Sequence, residues 1–221
     1  MQRQNIAVIG SGIAGMSAAW LLSQRHQVTL YEKADRIGGH SNTVTVPTSL
    51  GATPVDTGFI VYNDVTYPNL VALFDHLGVP TKRSDMSFGV SLNGGRTEYS
   101  SVGASAFLCG GRNLISPRFW SMTFDLLRFY KNAPLELPRT RNDLISLGEY
   151  LESRAYGEAF KRDHLLPQAA AIWSASMAEI HHYPACAFVR FFENHGLLKL
   201  KGRPQWSTVD GGSRAYVSML T

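Results

Sequence analysis

The stretch IAVIGSGIAGMSAAWLLSQRHQVTLYEK, Ile6 to Lys33, decides how the rest of the chain is read. Ile6 to Ile9 is apolar, β-branched and uncharged, the pattern of a strand buried on both faces of a parallel sheet. Gly10, Gly12 and Gly15 follow at once. From Ile13 to Gln24 apolar residues recur at helical spacing (Ile13, Met16, Ala19, Trp20), and Val28 to Tyr31 is a second strand-like run. The segment predicts a strand, a helix and a second strand. An uncharged run behind Arg3 also has the superficial look of a signal peptide or a membrane span. Either of those needs an unbroken apolar helix, and three glycines interrupt this one. No other stretch is a candidate span, so the chain is expected to be soluble and intracellular.

A glycine triplet between a strand and a helix has a physical task for each member. Gly10 permits the tight turn, Gly12 leaves the backbone open to a pyrophosphate, and Gly15 lets the helix pack closely on the strand. The helix N-terminus then faces the phosphates, so Gly10, Ser11, Gly12, Ala14 and Gly15 are expected to hold them. Glu32 ends the second strand, twenty residues after Gly12. A carboxylate there accepts hydrogen bonds from ribose hydroxyls and repels the extra phosphate of NADP. Triplet, context and acid together predict a dinucleotide site, and they leave NAD and FAD both open.

The bulk properties agree with an ordinary folded chain. Of 221 residues, 44% are hydrophobic and 11% aromatic, enough for a core. The 21 basic and 17 acidic residues leave a charge of +4, spread along the chain, which argues against nucleic acid as a partner. The densest basic stretch, Arg190 to Arg203, reads as a solvated loop, with peripheral contact to an anionic membrane as the alternative. Cys109 and Cys186 are the two cysteines, so no disulfide framework is needed and a reducing cytoplasm fits.

Further along, Thr43 to Val46 and Val55 to Val61 read as strands, and Tyr67 to Leu77 as a helix ended by Gly78 and Pro80. Met86 to Leu92 and Arg96 to Ser100 flank NGG and predict a hairpin. Beyond Ser101 leucines and aromatics recur at helical spacing, predicting helices over Pro117 to Asn132, Leu144 to Arg154, Tyr156 to Ala170 with a break before Pro167, and Pro184 to His195. APLELPRTR, Ala133 to Arg141, reads as a loop. PQWSTVDGGSRAYVSML then returns to strand, glycine turn and helix, suggesting re-entry into the first domain.

The choice of nucleotide rests on EKADRIGGH, Glu32 to His40. The acid, Lys33 beside it, the arginine and the pair Gly38-Gly39 resemble the extended nucleotide motif of the superfamily of flavin-containing amine oxidases, protoporphyrinogen oxidases and phytoene desaturases. In that superfamily the segment lies along the FAD pyrophosphate, which implies FAD here, with Gly38, Gly39 and His40 on the phosphate path. VDTGFIVYNDVTYPNLVALFDHLGV, Val55 to Val79, is similar to the stretch that passes the isoalloxazine ring, implying Thr57, Gly58 and Phe59 beside it. For Asp56 itself a turn role and a flavin role stay equally open. VDGGSRAYVSML looks like the segment that rejoins the FAD domain. GGHSNTV, DTGFIVYN and YPNL are together similar to a bacterial branch of NAD/FAD-binding amine oxidase-like proteins, often associated with lipid-modifying genes such as cyclopropane fatty-acid synthases. That association suggests a small-molecule substrate of fatty-acyl or other lipid type.

Two departures qualify the resemblance. His40 stands where amine oxidases carry arginine, so a permanent charge becomes one that depends on pH, which weakens an amine as substrate. Relatives run to roughly twice this length, near the upper end for single domains, and carry a second FAD motif and much of the active site in their C-terminal part. The chain is therefore expected to be an N-terminal fragment, or one half of a split protein whose other half is a separate chain.

Other residues invite weaker readings. His181 and His182 are adjacent and point in different directions on a helix, so no metal is expected. Trp173, Phe188, Phe191 and Phe192 are core aromatics before they are a substrate cavity. Cys186 lacks a CxxC partner.

The expected architecture is α/β. A Rossmann-like FAD-binding domain with a parallel sheet covers residues 1–103, a mostly helical substrate-domain insertion 104–202, and a return segment 203–221. The expected activity is an FAD-dependent oxidation that removes a hydride from an apolar or lipid-like substrate; no catalytic residue is identified. An NAD-dependent dehydrogenase and a non-catalytic FAD-binding subunit are the alternatives.

Overall fold

The structure is a computed structural model and describes residues 2–49, 51–137 and 145–221. The chain divides into two compact units, one made of residues 1–86 and 204–221 and the other of Ser87–Arg203.

In the first unit β1 (Asn5–Ile9) and β2 (Gln27–Tyr31) pair in parallel, joined by α1 (Ile13–Ser23). This is the β-α-β unit that the opening stretch predicts. The expectation that β1 is buried on both faces is not met: its residues alternate between exposed and half-buried, and Ile9 is 87% exposed. The reason is that the parallel pair has no third strand among the described residues. β3 (Thr43–Thr48) and β4 (Gly51–Asp56) form an antiparallel hairpin. The strand expected over Val55 to Val61 therefore lies earlier in the chain, and Asp56 ends it. α2 (Pro68–Leu77) begins with proline in its first turn and stops at Gly78 in the left-handed conformation. β5 (Thr81–Ser84) follows.

The second unit starts with the hairpin β6 (Gly89–Leu92) and β7 (Thr97–Ser100), turned by Asn93, Gly94 and Gly95 at positive φ. This hairpin belongs here rather than with the nucleotide domain, because Tyr99 is buried against Phe119 and Met122. After the short α3 (Ala104–Phe107), α4 (Pro117–Glu136) runs a turn past the expected end at Asn132. Tertiary contacts hold that turn in spite of Pro134: Ala133 is fully buried, and Glu136 accepts from Tyr150 at 2.8 Å and pairs with Arg154 at 3.0 Å. Leu137 then leaves the helix, and the rest of the predicted APLELPRTR loop, residues 138–141, and Leu144 at the predicted start of the next helix lie outside the described residues. α5 (Leu147–Ser153) is fixed by a capping box in which Ser146 and Glu149 satisfy each other's backbone amides.

The predicted break before Pro167 is instead a change of winding. α6 (Glu158–Phe160) passes through a π-helical turn, Lys161–Leu165, into α7 (Leu166–Trp173) without interruption. α8 (Met177–His181) and α9 (Ala185–Asn194) complete the unit. Sequence reasoning missed α8, although Ser176 and Glu179 spell the S-x-x-E capping box that opens it. Phe129, Phe160, Phe188 and Phe192 are fully buried, so Phe188 and Phe192 of α9 are core, while Phe191 is half-buried. In the basic stretch at Arg190 to Arg203, Phe192 and Leu197 are buried while Leu200 is 66% exposed. His181 lies over Gly148, where a β-carbon would come within 1.9 Å of its ring.

The chain returns to the first unit as β8 (Trp206–Val209) and α10 (Arg214–Met219). β8 pairs antiparallel with β5, and Ser207 exchanges backbone hydrogen bonds with Tyr62 at 2.8 and 2.9 Å. Tyr216 and Val217 of α10 join Met16, Tyr62, Phe74, Val79 and Val209 in the core. Among the described residues no helix is long and apolar enough to cross a membrane.

Candidate functional site: a glycine-rich nucleotide cradle

The cradle is built where β1 hands over to α1. Gly10 sits at φ +94°, in the left-handed region that favours glycine, and its N–H donates to Tyr31 O at 2.7 Å, tying the turn to the end of β2. A β-carbon on Gly15 would lie 1.8 Å from Gly10 O, so only glycine lets α1 approach the turn this closely. A β-carbon on Gly12 would meet nothing within 4 Å. The spatial demands on the triplet are thus the ones its pattern predicts: conformation at Gly10, open space at Gly12, contact at Gly15. Gly12 caps α1, and the amides of a first helical turn have no acceptor within the helix. Ile13 and Ala14 are exposed there.

Glu32 faces this turn from the end of β2. One carboxylate oxygen, Oε2, accepts from Ser11 N at 2.8 Å and from the Ser11 hydroxyl. The other, Oε1, accepts from Lys33 N at 2.7 Å and Ala34 N at 2.9 Å. Hydrogen bonds from the Ala34 amide, the Ser11 hydroxyl and amide, and the Lys33 amide hold the carboxyl down at about 2 against an ordinary 4.5. Four donors fill the roughly four lone-pair positions of a carboxylate. Lys33 contributes its backbone amide, while its residue is exposed.

The second glycine pair lies against the first. Gly38 N donates to Ser11 O at 3.0 Å and to Ser11 Oγ at 3.2 Å, and a β-carbon on Gly39 would stand 2.9 Å from Gly12 Cα. α10 supports the pair from behind: a β-carbon on Gly38 would meet Val217 at 3.3 Å, and the Tyr216 and Ser41 hydroxyls are hydrogen-bonded. The third expected segment joins them. Phe59 N donates to His40 O at 2.8 Å, Thr57 N donates to Asn42 O at 2.9 Å, and a β-carbon on Gly58 would come within 2.3 Å of His40 O. Gly10 to Gly15, Glu32, Gly38 to His40 and Thr57 to Phe59 are therefore linked by one run of contacts.

Asp56 has a part that was not foreseen. It accepts from Thr43 Oγ1 at 2.6 Å, Ser213 Oγ at 2.7 Å and Ser213 N at 2.9 Å, so it pins the start of α10 to the β3–β4 hairpin. Asn63 was also missed. Its Oδ1 accepts from Thr66 N at 2.8 Å and Thr66 Oγ1 at 2.9 Å, while its buried Nδ2 has no protein partner among the described residues.

With this geometry in view, comparison with known proteins is informative. A family of NAD(P)-binding Rossmann-like domains matches residues 8–77, the span from β1 to the end of α2. Cyclohexylamine oxidase from Brevibacterium oxydans superimposes with a TM-score of 0.66 at 21% identity, over 99% of this chain and 49% of that one. The chain has the fold of the flavin amine oxidases. Within this amine-oxidase fold a fatty acid isomerase from P. acnes aligns with a TM-score of 0.61 at 18% identity, over 99% of this chain and 48% of that one. A Mycobacterium tuberculosis protein named as a flavin-containing monoamine oxidase, AofH, is 27% identical over 219 residues, 95% of this chain and 46% of its own length. The chain spans about half the length of these relatives.

Proposed function

We propose that the chain is the FAD-binding portion of a flavin-dependent oxidoreductase, acting in a longer protein or with a second polypeptide. The observation that carries this reading is a run of contacts that links four segments: the Gly10–Gly15 turn, Glu32 and the Gly38–Gly39 pair meet at the start of α1, and Thr57–Phe59 meets His40 beside that pair. The residues present fit a dinucleotide. The open space at Gly12 suits a pyrophosphate, the first-turn amides of α1 supply its donors, and Glu32 lies where ribose hydroxyls arrive. A Rossmann turn alone suits NAD equally; FAD is favoured because the second glycine pair packs against the first, in keeping with the motif's resemblance to the flavin-containing superfamily.

In this reading Gly10, Gly12, Ala14 and Gly15 hold the pyrophosphate, Ser11, whose amide and hydroxyl both donate to Glu32, braces the turn, Glu32 with the Lys33 amide shapes the ribose site, and Gly38, Gly39 and His40 continue the phosphate path. Thr57, Gly58 and Phe59 lie beside the ring system. Bound FAD supplies a two-electron acceptor for a hydride from a C–H bond. The substrate we infer is apolar or amphipathic. His40 in place of a fixed positive charge and the shared fold of a fatty acid isomerase support that choice.

The test is reconstitution of the chain with FAD and separately with NADH, followed by exhaustive dialysis. Retention of the visible flavin absorption with no NADH retained is the expected result. NADH retained by a chain that releases FAD would sink the proposal in favour of a nicotinamide-dependent dehydrogenase.

A further inference from the structure

Within the unit of residues 87–203 a buried hydrogen-bond relay ends on an atom that none of the preceding chemistry uses. Asp163 O lies four residues before Pro167, which has no amide hydrogen to give it. Tyr99 takes that place, donating its hydroxyl to Asp163 O at 2.6 Å. A phenol has a single proton, so the 2.9 Å contact between Tyr99 Oη and His164 Nδ1 runs the other way, with Nδ1–H donating. The imidazole is thereby held in one tautomer. Burial, with the nearby charge of Arg203, keeps it neutral by lowering its pKa to about 4.

Nε2 is left as a bare acceptor. It is buried without a protein partner among the described residues, and so is Oε1 of Gln168, one helical turn further on. Both residues are more than nine-tenths buried, at 5% and 7% exposure. Around the imidazole, Tyr99 and Phe160 lie nearly parallel to it at 6.0 and 6.2 Å, and Phe88 meets it edge-on at 5.8 Å. A buried acceptor left unpaired costs about 1–3 kcal/mol, so two of them on one helix call for a donor.

We propose that His164 Nε2 is a binding point for a neutral O–H donor. A carboxylate is unsuitable because it offers acceptors to acceptors. An ammonium ion is disfavoured by Arg203, and the neighbouring carboxylate, Asp163, is already engaged by Arg118 through bonds of 2.6 and 2.8 Å. The donor is a confined water or the hydroxyl of a small alcohol, the same chemistry from two sources. The inference stands on this unit alone and does not require FAD.

Nitrogen-15 NMR of the histidine-labelled full chain tests it, with the His164 signals assigned by their loss in His164→Phe. The Nε2 shift is expected at the position of a hydrogen-bonded acceptor. Saturable movement of that shift on titration with 1-propanol identifies a ligand hydroxyl; no movement, with a nuclear Overhauser contact to water, identifies confined water. In Tyr99→Phe the ring proton is expected to leave Nδ1 for Nε2. The shift of an unbonded Nε2 in all conditions, a saturable response to propylammonium or propionate, or an unchanged tautomer in Tyr99→Phe would each overturn the proposal.

Discussion

Ser11 donates to Glu32 twice, through its backbone amide at 2.8 Å and through its hydroxyl, and Glu32 has no acceptor position left once the Lys33 and Ala34 amides are counted. A ribose hydroxyl reaching this carboxylate therefore has to displace a protein donor, and the Ser11 hydroxyl is the one on a rotatable side chain. Ser11→Ala removes that competitor and leaves the backbone bond. Binding of ADP, measured by calorimetry, is expected to tighten by about fivefold, the worth of one ordinary hydrogen bond. Unchanged or weaker binding would show that the hydroxyl helps rather than competes.

The same relationship sets a pH dependence. Glu32 has its carboxyl lowered from 4.5 to about 2, so its contribution to stability is fully present above the unfolded value and is lost as pH falls towards 2. Glu32→Gln keeps the shape and removes the charge. The gap in urea midpoint between the two proteins is expected to be constant above pH 5, the upper edge of that titration, and to narrow steadily below it. A gap that stays the same down to pH 3 would assign the loss to shape and not to charge.

Gly12 and Gly15 are expected to behave oppositely. A methyl group on Gly15 collides with Gly10 O at 1.8 Å, so Gly15→Ala must push α1 from the turn and should cost about 2–3 kcal/mol in chemical unfolding. On Gly12 the methyl group meets nothing within 4 Å among the described residues beyond its chain neighbours, so Gly12→Ala should fold with nearly unchanged stability. It should nonetheless lose about tenfold or more in dinucleotide affinity, because it fills the approach to the pyrophosphate. Equal dinucleotide affinity in Gly12→Ala and the parent would remove the pyrophosphate from this turn.

Asp56 offers a test of the return segment. Its carboxylate takes donors from Thr43 and Ser213, which holds the first turn of α10 in place. In Asp56→Ala, hydrogen exchange is expected to accelerate across residues 213–219, with the amides of α2 little changed. Uniform acceleration over both helices would mean that the unit had loosened as a whole.

Much of the cradle was legible locally, because its requirements are satisfied within a few residues. A left-handed glycine after a strand, an apolar stripe at helical spacing and an acid at the end of the next strand are each written into short segments. The longer helices of the second unit were legible for the same reason; the short α3 and α8 were not, although Ser176 and Glu179 spell the box that opens α8.

What only the tertiary structure decided are the pairings between distant segments. Thr81 to Ser84 has no apolar pattern and becomes a strand solely because β8 lies beside it. For Asp56 a turn role and a flavin role were equally open from the sequence, and only folding brought Ser213 to it. The π-helical turn before Pro167 exists in a setting where Tyr99, from a distant hairpin, supplies the donor that proline withholds. Composition and period prescribe the conformation each segment prefers, since that depends on neighbours along the chain. Which hydrogen-bonding groups are satisfied, and which are left to receive a ligand, depends on partners that arrive only when the chain folds.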